Sequence, residues 1–175
     1  IDKNKFGKVL NVNLSYSRGF FHNAIHWLDL IIWFFGIPEK IKIDRNIPSK
    51  SFKGDRTIDL TMYYKTGLSI HLYAYDIDFL GNEELDIIGT LGRVRVNPDD
   101  KMIFYKLKNH RIYKKTKIFT CSKSYSMNNS IILKATLKNV KSILMGKDVG
   151  NLSPAENSLE IVKLLKKSNL DSYIK

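Results

Sequence analysis

The sequence predicts an α+β fold: an open, mostly antiparallel β-sheet with helices on one face. Three observations predict it. Residues 7–16 and much of 39–120 alternate apolar and polar side chains in short runs separated by turn residues, which is the pattern of half-buried strands joined as hairpins. Arg18 to Gly36 is a single apolar helical stretch between the first two runs. From Ser130 onward the period lengthens to that of helices. Helices that enter before and after a hairpin sheet cover one of its faces.

Gly7 to Tyr16 puts Leu10, Val12, Leu14 and Tyr16 on one face and Asn11, Asn13 and Ser15 on the other. Ser17, Arg18 and Gly19 make the loop into the helix. That helix carries Trp27, Leu28, Leu30, Ile31, Ile32, Trp33, Phe34 and Phe35 around most of its circumference, and a helix apolar nearly all round is expected to be buried. Gly36 and Pro38 stop it. EKIKIDR (39–45) is a second strand, closed by Pro48, and KSFKGD (50–55) a polar loop. Ile58, Leu60, Met62 and Tyr64 share one face of the next strand. Lys65, Thr66 and Gly67 turn it into a strand with Leu68, Ile70, Leu72 and Ala74 inside and His71, Tyr73 and Tyr75 outside.

Glu83–Gly89 and Arg93–Asn97 pair across GTLG, with Gly89 and Gly92 at the tight turn. Met102–Leu107 and Arg111–Thr120 are further short strands, for six to eight in all. Ile131, Leu133 with Ile132, Ala135, Leu137, Val140, Ile143 and Leu144 mark an amphipathic helix ending at Gly146. Ser153, Pro154 and Glu156 open a last helix with a capping box, whose inner face is expected to be Leu159, Val162 with Ile161, and Leu165.

At 175 residues the chain has room for one domain, 1–175, with a real core. Its 43% hydrophobic and 26% charged residues are globular proportions. The longest apolar run, Leu30 to Phe35, is too short to span a bilayer, so no membrane partner is expected. A single cysteine, Cys121, excludes an internal disulfide and a multi-cysteine zinc site, and suits a cytoplasmic setting. The net charge of +12 suggests either attraction to something anionic or the lysine-rich usage of an AT-rich genome. A modest basic cluster stands in KLKNHRIYKKTK (106–117).

The polar groups of the first helix carry the chemistry. His22, His26 and Asp29 follow at spacings of four and three, which puts them on one side of a helix. On a buried helix they would stand at the floor of a cleft. The pair His22 and His26 also has the spacing of a helical zinc site, with Asp29 as a third ligand, but Asn23 stands where a metalloprotease needs its glutamate. A core histidine satisfied by Asp29 is the plainer alternative. No GxGxxG follows a strand and no GxxxxGK[ST] occurs. Gly89-x-x-Gly92 is a strand turn, so no dinucleotide fingerprint lies in this chain.

HNAIHWLDLIIWFFGIPEKIK (22–42) resembles the signature of the Gfo/Idh/MocA family of NAD(P)-dependent oxidoreductases. His26 matches the family histidine, Asp29 the aspartate three after it, and Gly36-Ile37-Pro38 the helix end. LDIIGTLGRVRV (85–96) resembles the family's Gly-Thr-x-Gly hairpin, PAENSLEIVKLLKKS (154–168) its closing helix, and GKVLNVNLSY (7–16) the strand that opens its second domain. The motifs stand in family order along nearly the whole chain. One position departs: where the family has Asp or Asn four before the histidine, this sequence has His22, with Asn23 beside it.

The resemblance implies a substrate-binding and oligomerisation domain, the C-terminal part of an oxidoreductase whose Rossmann domain, binding NAD or NADP, would precede Ile1. It implies a sugar, polyol or nucleotide-sugar substrate and a homo-oligomer formed through the open sheet face. His26 is the expected acid/base and His22 its catalytic companion, with Asn23, Arg18 and Asp29 as substrate-binding candidates. No residue of this chain is expected to bind the cofactor or a metal. The competing class is a non-enzymatic basic module that binds nucleic acid or another anionic partner through residues 101–117, where Phe104, Tyr105 and Tyr113 interleave with lysines.

Overall fold

The computed structural model describes residues 6–50, 52–77, 81–97, 99, 101–126, 129–146 and 155–167. Eight strands, β1 Val9–Tyr16, β2 Lys40–Pro48, β3 Arg56–Tyr63, β4 Ser69–Ala74, β5 Glu84–Gly89, β6 Gly92–Asn97, β7 Lys101–Asn109 and β8 Lys117–Ser126, form one open sheet. Their spatial order is β2-β3-β4-β1-β5-β6-β7-β8. Every pairing is antiparallel except β1 with β4, which is parallel. That exception follows from connectivity: the chain leaves β1 through a helix and builds the β2–β4 meander on the far side. The helices are α1 Ile25–Phe35, preceded by a π-helical turn at Phe20–Ala24, then α2 Asn129–Leu144 and α3 Ala155–Lys167.

Alternation decides which sheet face is inside. Val12, Leu14, Tyr16, Leu60, Met62, Ile70, Leu72, Leu85 and Ile87 are buried, and α1 lays Leu28, Ile31 and Ile32 among the same core. Such burial, at roughly 1.5–3 kcal/mol per large aliphatic side chain, is the main force closing this layer. Leu10 breaks the pattern and is 55% exposed, because the β1–β5 register shifts between Val9 and Asn11. Gly89 is required by a close approach: a Cβ there would stand 2.2 Å from the Phe6 carbonyl oxygen.

Three expectations need correction. The first helix is not buried all round: Trp33 is 44% exposed and both histidines face outward. One side of α1 packs on the sheet and the other is open. The eighth strand starts at Lys117, not Arg111, because His110 and Thr116 close a turn through a backbone bond of 2.8 Å. In α3 the inner residues are Ile161 and Leu165, while Leu159 and Val162 are exposed. α2 forms where the helical period was read, and its Leu137, Val140 and Leu144 are exposed. The expected cap at Ser153 and Pro154 lies outside the described residues. No helix of the described residues is long and apolar enough to cross a membrane.

Candidate active site at the head of the first helix

β1 ends in the core, and the residue after it, Ser17, is fully buried. The next two residues are both left-handed, Arg18 at φ 60° and Gly19 at φ 85°. Arg18 is the one non-glycine residue with positive φ among those described, a conformation that costs a bulky side chain energy and clusters at functional sites. Gly19 has no substitute, since a Cβ would meet the Asp55 carboxylate at 2.3 Å. The sharp turn aims the start of the helix at that carboxylate. Asp55 Oδ1 accepts the backbone N–H of Phe20 (3.1 Å) and of Phe21 (3.0 Å), and Oδ2 accepts that of His22 (2.9 Å). A helix start has four N–H groups without intrahelical partners and a partial positive charge, so one remote carboxylate answers both needs. The turn it holds is π-helical, a geometry found frequently at functional sites.

His22 lies on this turn with its ring stacked on Phe52, centroids 4.0 Å apart. His26 is one turn further on and exposed, and its side chain makes no hydrogen bond among the described residues. Asp29 is half-buried on α1. Asn23 donates from Nδ2 to the Ser17 carbonyl oxygen (3.0 Å) and to Glu83 Oε1 (2.7 Å). Ser17 Oγ donates to the same Glu83 oxygen at 2.9 Å. The Arg18 guanidinium stands 3.8 Å from it, half-exposed.

The structure thus gathers Arg18, Asn23 and His22 at the mouth of the first helix and sets His26 beside them on an open surface, not at a cleft floor. Sequence reading missed Ser17, Phe52, Asp55 and Glu83. Asp55 and Glu83 act over 33 and 60 residues of chain respectively, so no local pattern marks them. Among the described residues no group of three His, Cys, Asp or Glu side chains is placed to hold a metal ion, and the helical zinc arrangement is not formed.

The chemistry available is that of an exposed imidazole with an amide and a cation on the preceding turn. A separate cavity of about 1160 Å³ lies at the other end of α1, between Phe34, Ile37, Pro38, Tyr64, Lys65 and Leu68. It holds neither histidine and shares no residue with this cluster.

The sheet and its helices are those of known oxidoreductases. A UDP-N-acetylglucosamine 3-dehydrogenase from Acidithiobacillus ferrooxidans superposes on 99% of this chain and 57% of its own, at TM-score 0.66 and 10% identity. An oxidoreductase from Bacillus cereus matches 95% of this chain and 56% of its own, at TM-score 0.62 and 15% identity. A protein assigned as an NADPH-dependent oxidoreductase, from Desulfitobacterium hafniense, matches 98% and 58%, at TM-score 0.66 and 13% identity. Identities this low establish the fold. This chain spans little more than half the length of each of these proteins. No family model matches the sequence, and no curated protein does.

Proposed function

We propose that this chain is the substrate-binding and subunit-interface part of a nicotinamide-dependent oxidoreductase acting on a hydroxyl of a sugar, polyol or nucleotide-sugar. The observation that carries the reading is the coincidence of two independent features. The whole sheet and its helices superpose on oxidoreductases, one of them a nucleotide-sugar dehydrogenase, and the histidine expected to move a proton is exposed on the built helix start. The cofactor would be NAD or NADP, and a partner domain must hold it. Gly89 and Gly92 flank the turn between β5 and β6, where no helix begins, so this turn is no pyrophosphate cradle. What this chain contributes is binding by Arg18 and Asn23, and a proton acceptor at His26 for the hydroxyl being oxidised. His22 positions the substrate or His26.

The test is enzymatic. The protein expressed together with the coding sequence upstream of Ile1 should reduce NAD or NADP with a sugar or UDP-sugar, followed at the nicotinamide absorbance. Calorimetry on the 175-residue chain alone should detect no binding of either nucleotide. Micromolar binding to this chain would refute the division of labour, and an upstream sequence without a dinucleotide-binding domain would refute the activity.

The open sheet face is proposed as the subunit interface. It exposes Tyr63, Tyr73 and Tyr75, and aromatics are enriched at interfaces. Its charges are already answered within the face: Arg93 meets Asp86 through two bonds of 2.7 and 2.6 Å, and Arg95 meets Glu84 at 2.6 Å. Covering it therefore strands few charges. Light scattering should find a homo-oligomer that Tyr73→Lys dissociates. A strictly monomeric wild type at high concentration would end this proposal.

A second reading is favoured by one observation. Residues 101–147 hold twelve Lys and Arg and no Asp or Glu, while the remainder of the chain balances at seventeen of each sign. The whole net charge sits in the β7–β8 edge and α2. A non-enzymatic module for nucleic acid or another anion would use this surface. Filter binding to oligonucleotides, tight and steeply salt-dependent, would favour it over the enzyme.

A further inference from the structure

Asn23 is fixed in a way that limits what it can recognise. Its Nδ2 has two hydrogens, and both nearby partners, the Ser17 carbonyl oxygen and Glu83 Oε1, are acceptors. Neither can donate, so the amide has only one chemically sensible orientation, with nitrogen toward Ser17 and Glu83. Both donors are then consumed, and Oδ1 is the one polar atom of that side chain left for a ligand. The clamp is firm because its base is buried: Ser17 is 0% exposed, and its hydroxyl ties the same Glu83 oxygen.

We infer that Asn23 is a specificity residue, that Glu83 is its positioning residue, and that the pair selects a ligand donating a hydrogen bond to Asn23 Oδ1. A hydroxyl or an amide N–H meets this demand, and a group that only accepts is rejected. This rests on the reading of the helix head as a substrate site. Arg18 beside it offers donors alone, so the cluster presents one acceptor and one cation to the same ligand. A polyhydroxylated molecule with an anionic group satisfies both, and a nucleotide-sugar belongs to that class.

The test separates the clamp from the ligand. In the labelled 175-residue chain, nuclear magnetic resonance should find the Asn23 side-chain amide protons slow to exchange with water. Glu83→Ala should speed that exchange at least about tenfold, and Glu83→Gln, whose carbonyl still accepts, should restore it. An exchange rate untouched by Glu83→Ala, in a variant whose backbone spectrum shows it folded, would overturn the clamp. The ligand probe is UDP-N-acetylglucosamine and a set of analogues in which each sugar hydroxyl in turn is replaced by fluorine, which keeps size and removes the donor. One analogue should bind at least about tenfold more weakly than the parent, and Asn23→Ala should erase that difference. Equal binding of every analogue, or a difference that survives Asn23→Ala, would overturn the selectivity. If the parent fails to bind while the clamp behaves as stated, the sugar reading of the site falls and the clamp stands.

Discussion

Tyr16→Phe should destabilise the folded chain by about 2–4 kcal/mol, because the hydroxyl closes a gap in the sheet. The β3–β4 register aligns Leu60 with Leu72, so the rung after it would join Ile58 to Ala74. That rung is open. The Tyr16 hydroxyl takes its place, donating to the Ile58 carbonyl oxygen at 2.8 Å and accepting the Ile58 N–H at 3.0 Å. Ala74, on the other side, gives its N–H to Asp59 and its carbonyl to Arg45. Both Tyr16 and Ile58 are 0% exposed, so no water stands ready to replace the lost oxygen. Burial raises the Tyr16 pKa well above the ordinary phenol value, which keeps the hydroxyl protonated and able to donate at any working pH.

Removing the Tyr16 oxygen leaves two buried backbone groups unpaired, each costing about 1–3 kcal/mol. For a chain this long the melting temperature should fall by roughly 5–15 °C. Tyr64→Phe is the control. The Tyr64 hydroxyl is buried with no hydrogen-bond partner among the described residues, so its loss should be neutral or stabilising. Denaturant titration of both variants decides the matter. Equal effects would mean that the Tyr16 hydroxyl is not what spans the gap.

The gap shows what the sequence could and could not reveal. The alternation in β1 marks Tyr16 as an inward residue, and so it is. That its hydroxyl would replace a ladder rung depends on where β3 and β4 part, which no pattern in either strand announces. The hairpin of β3 and β4 was readable because period 2 is kept without interruption on both sides of Gly67, a left-handed residue at φ 80°. α1 was readable because Gly36, also left-handed, closes it with a bond from its N–H to the Ile32 carbonyl oxygen at 2.8 Å.

Burial of the helices was harder to read. In α3, apolar residues at 159, 161, 162, 164 and 165 offer two overlapping stripes, and only packing against the rest of the fold selects Ile161 and Leu165. In α1, apolar residues surround the helix, yet one side of it remains open. At the helix head, His22, Asn23 and Arg18 were legible as local chemistry. The carboxylates that hold them were not, because a cap supplied from another loop leaves no signature at the helix it serves.

His26→Asn, in a protein that also carries the cofactor-binding domain, should lower turnover by about two to four orders of magnitude while the nicotinamide stays bound. Asparagine retains a hydrogen-bond donor and loses the titration, so the change reports proton transfer more than packing. His26 is exposed, so folding should be untouched, with an effect within about 0.5 kcal/mol. His22→Asn should be milder in rate and more visible in stability. The His22 ring is engaged with Phe52, and its backbone N–H is bonded to Asp55 whatever the side chain. Substitution therefore removes a stacking contact worth about 0.5–1.5 kcal/mol and leaves the helix start in place. The two variants should part company, His26→Asn in turnover and His22→Asn in melting temperature. A crippled His22→Asn beside a tolerated His26→Asn would reverse the roles of the two imidazoles. Two silent variants would move the chemistry away from this helix, and the proposed oxidoreductase site with it.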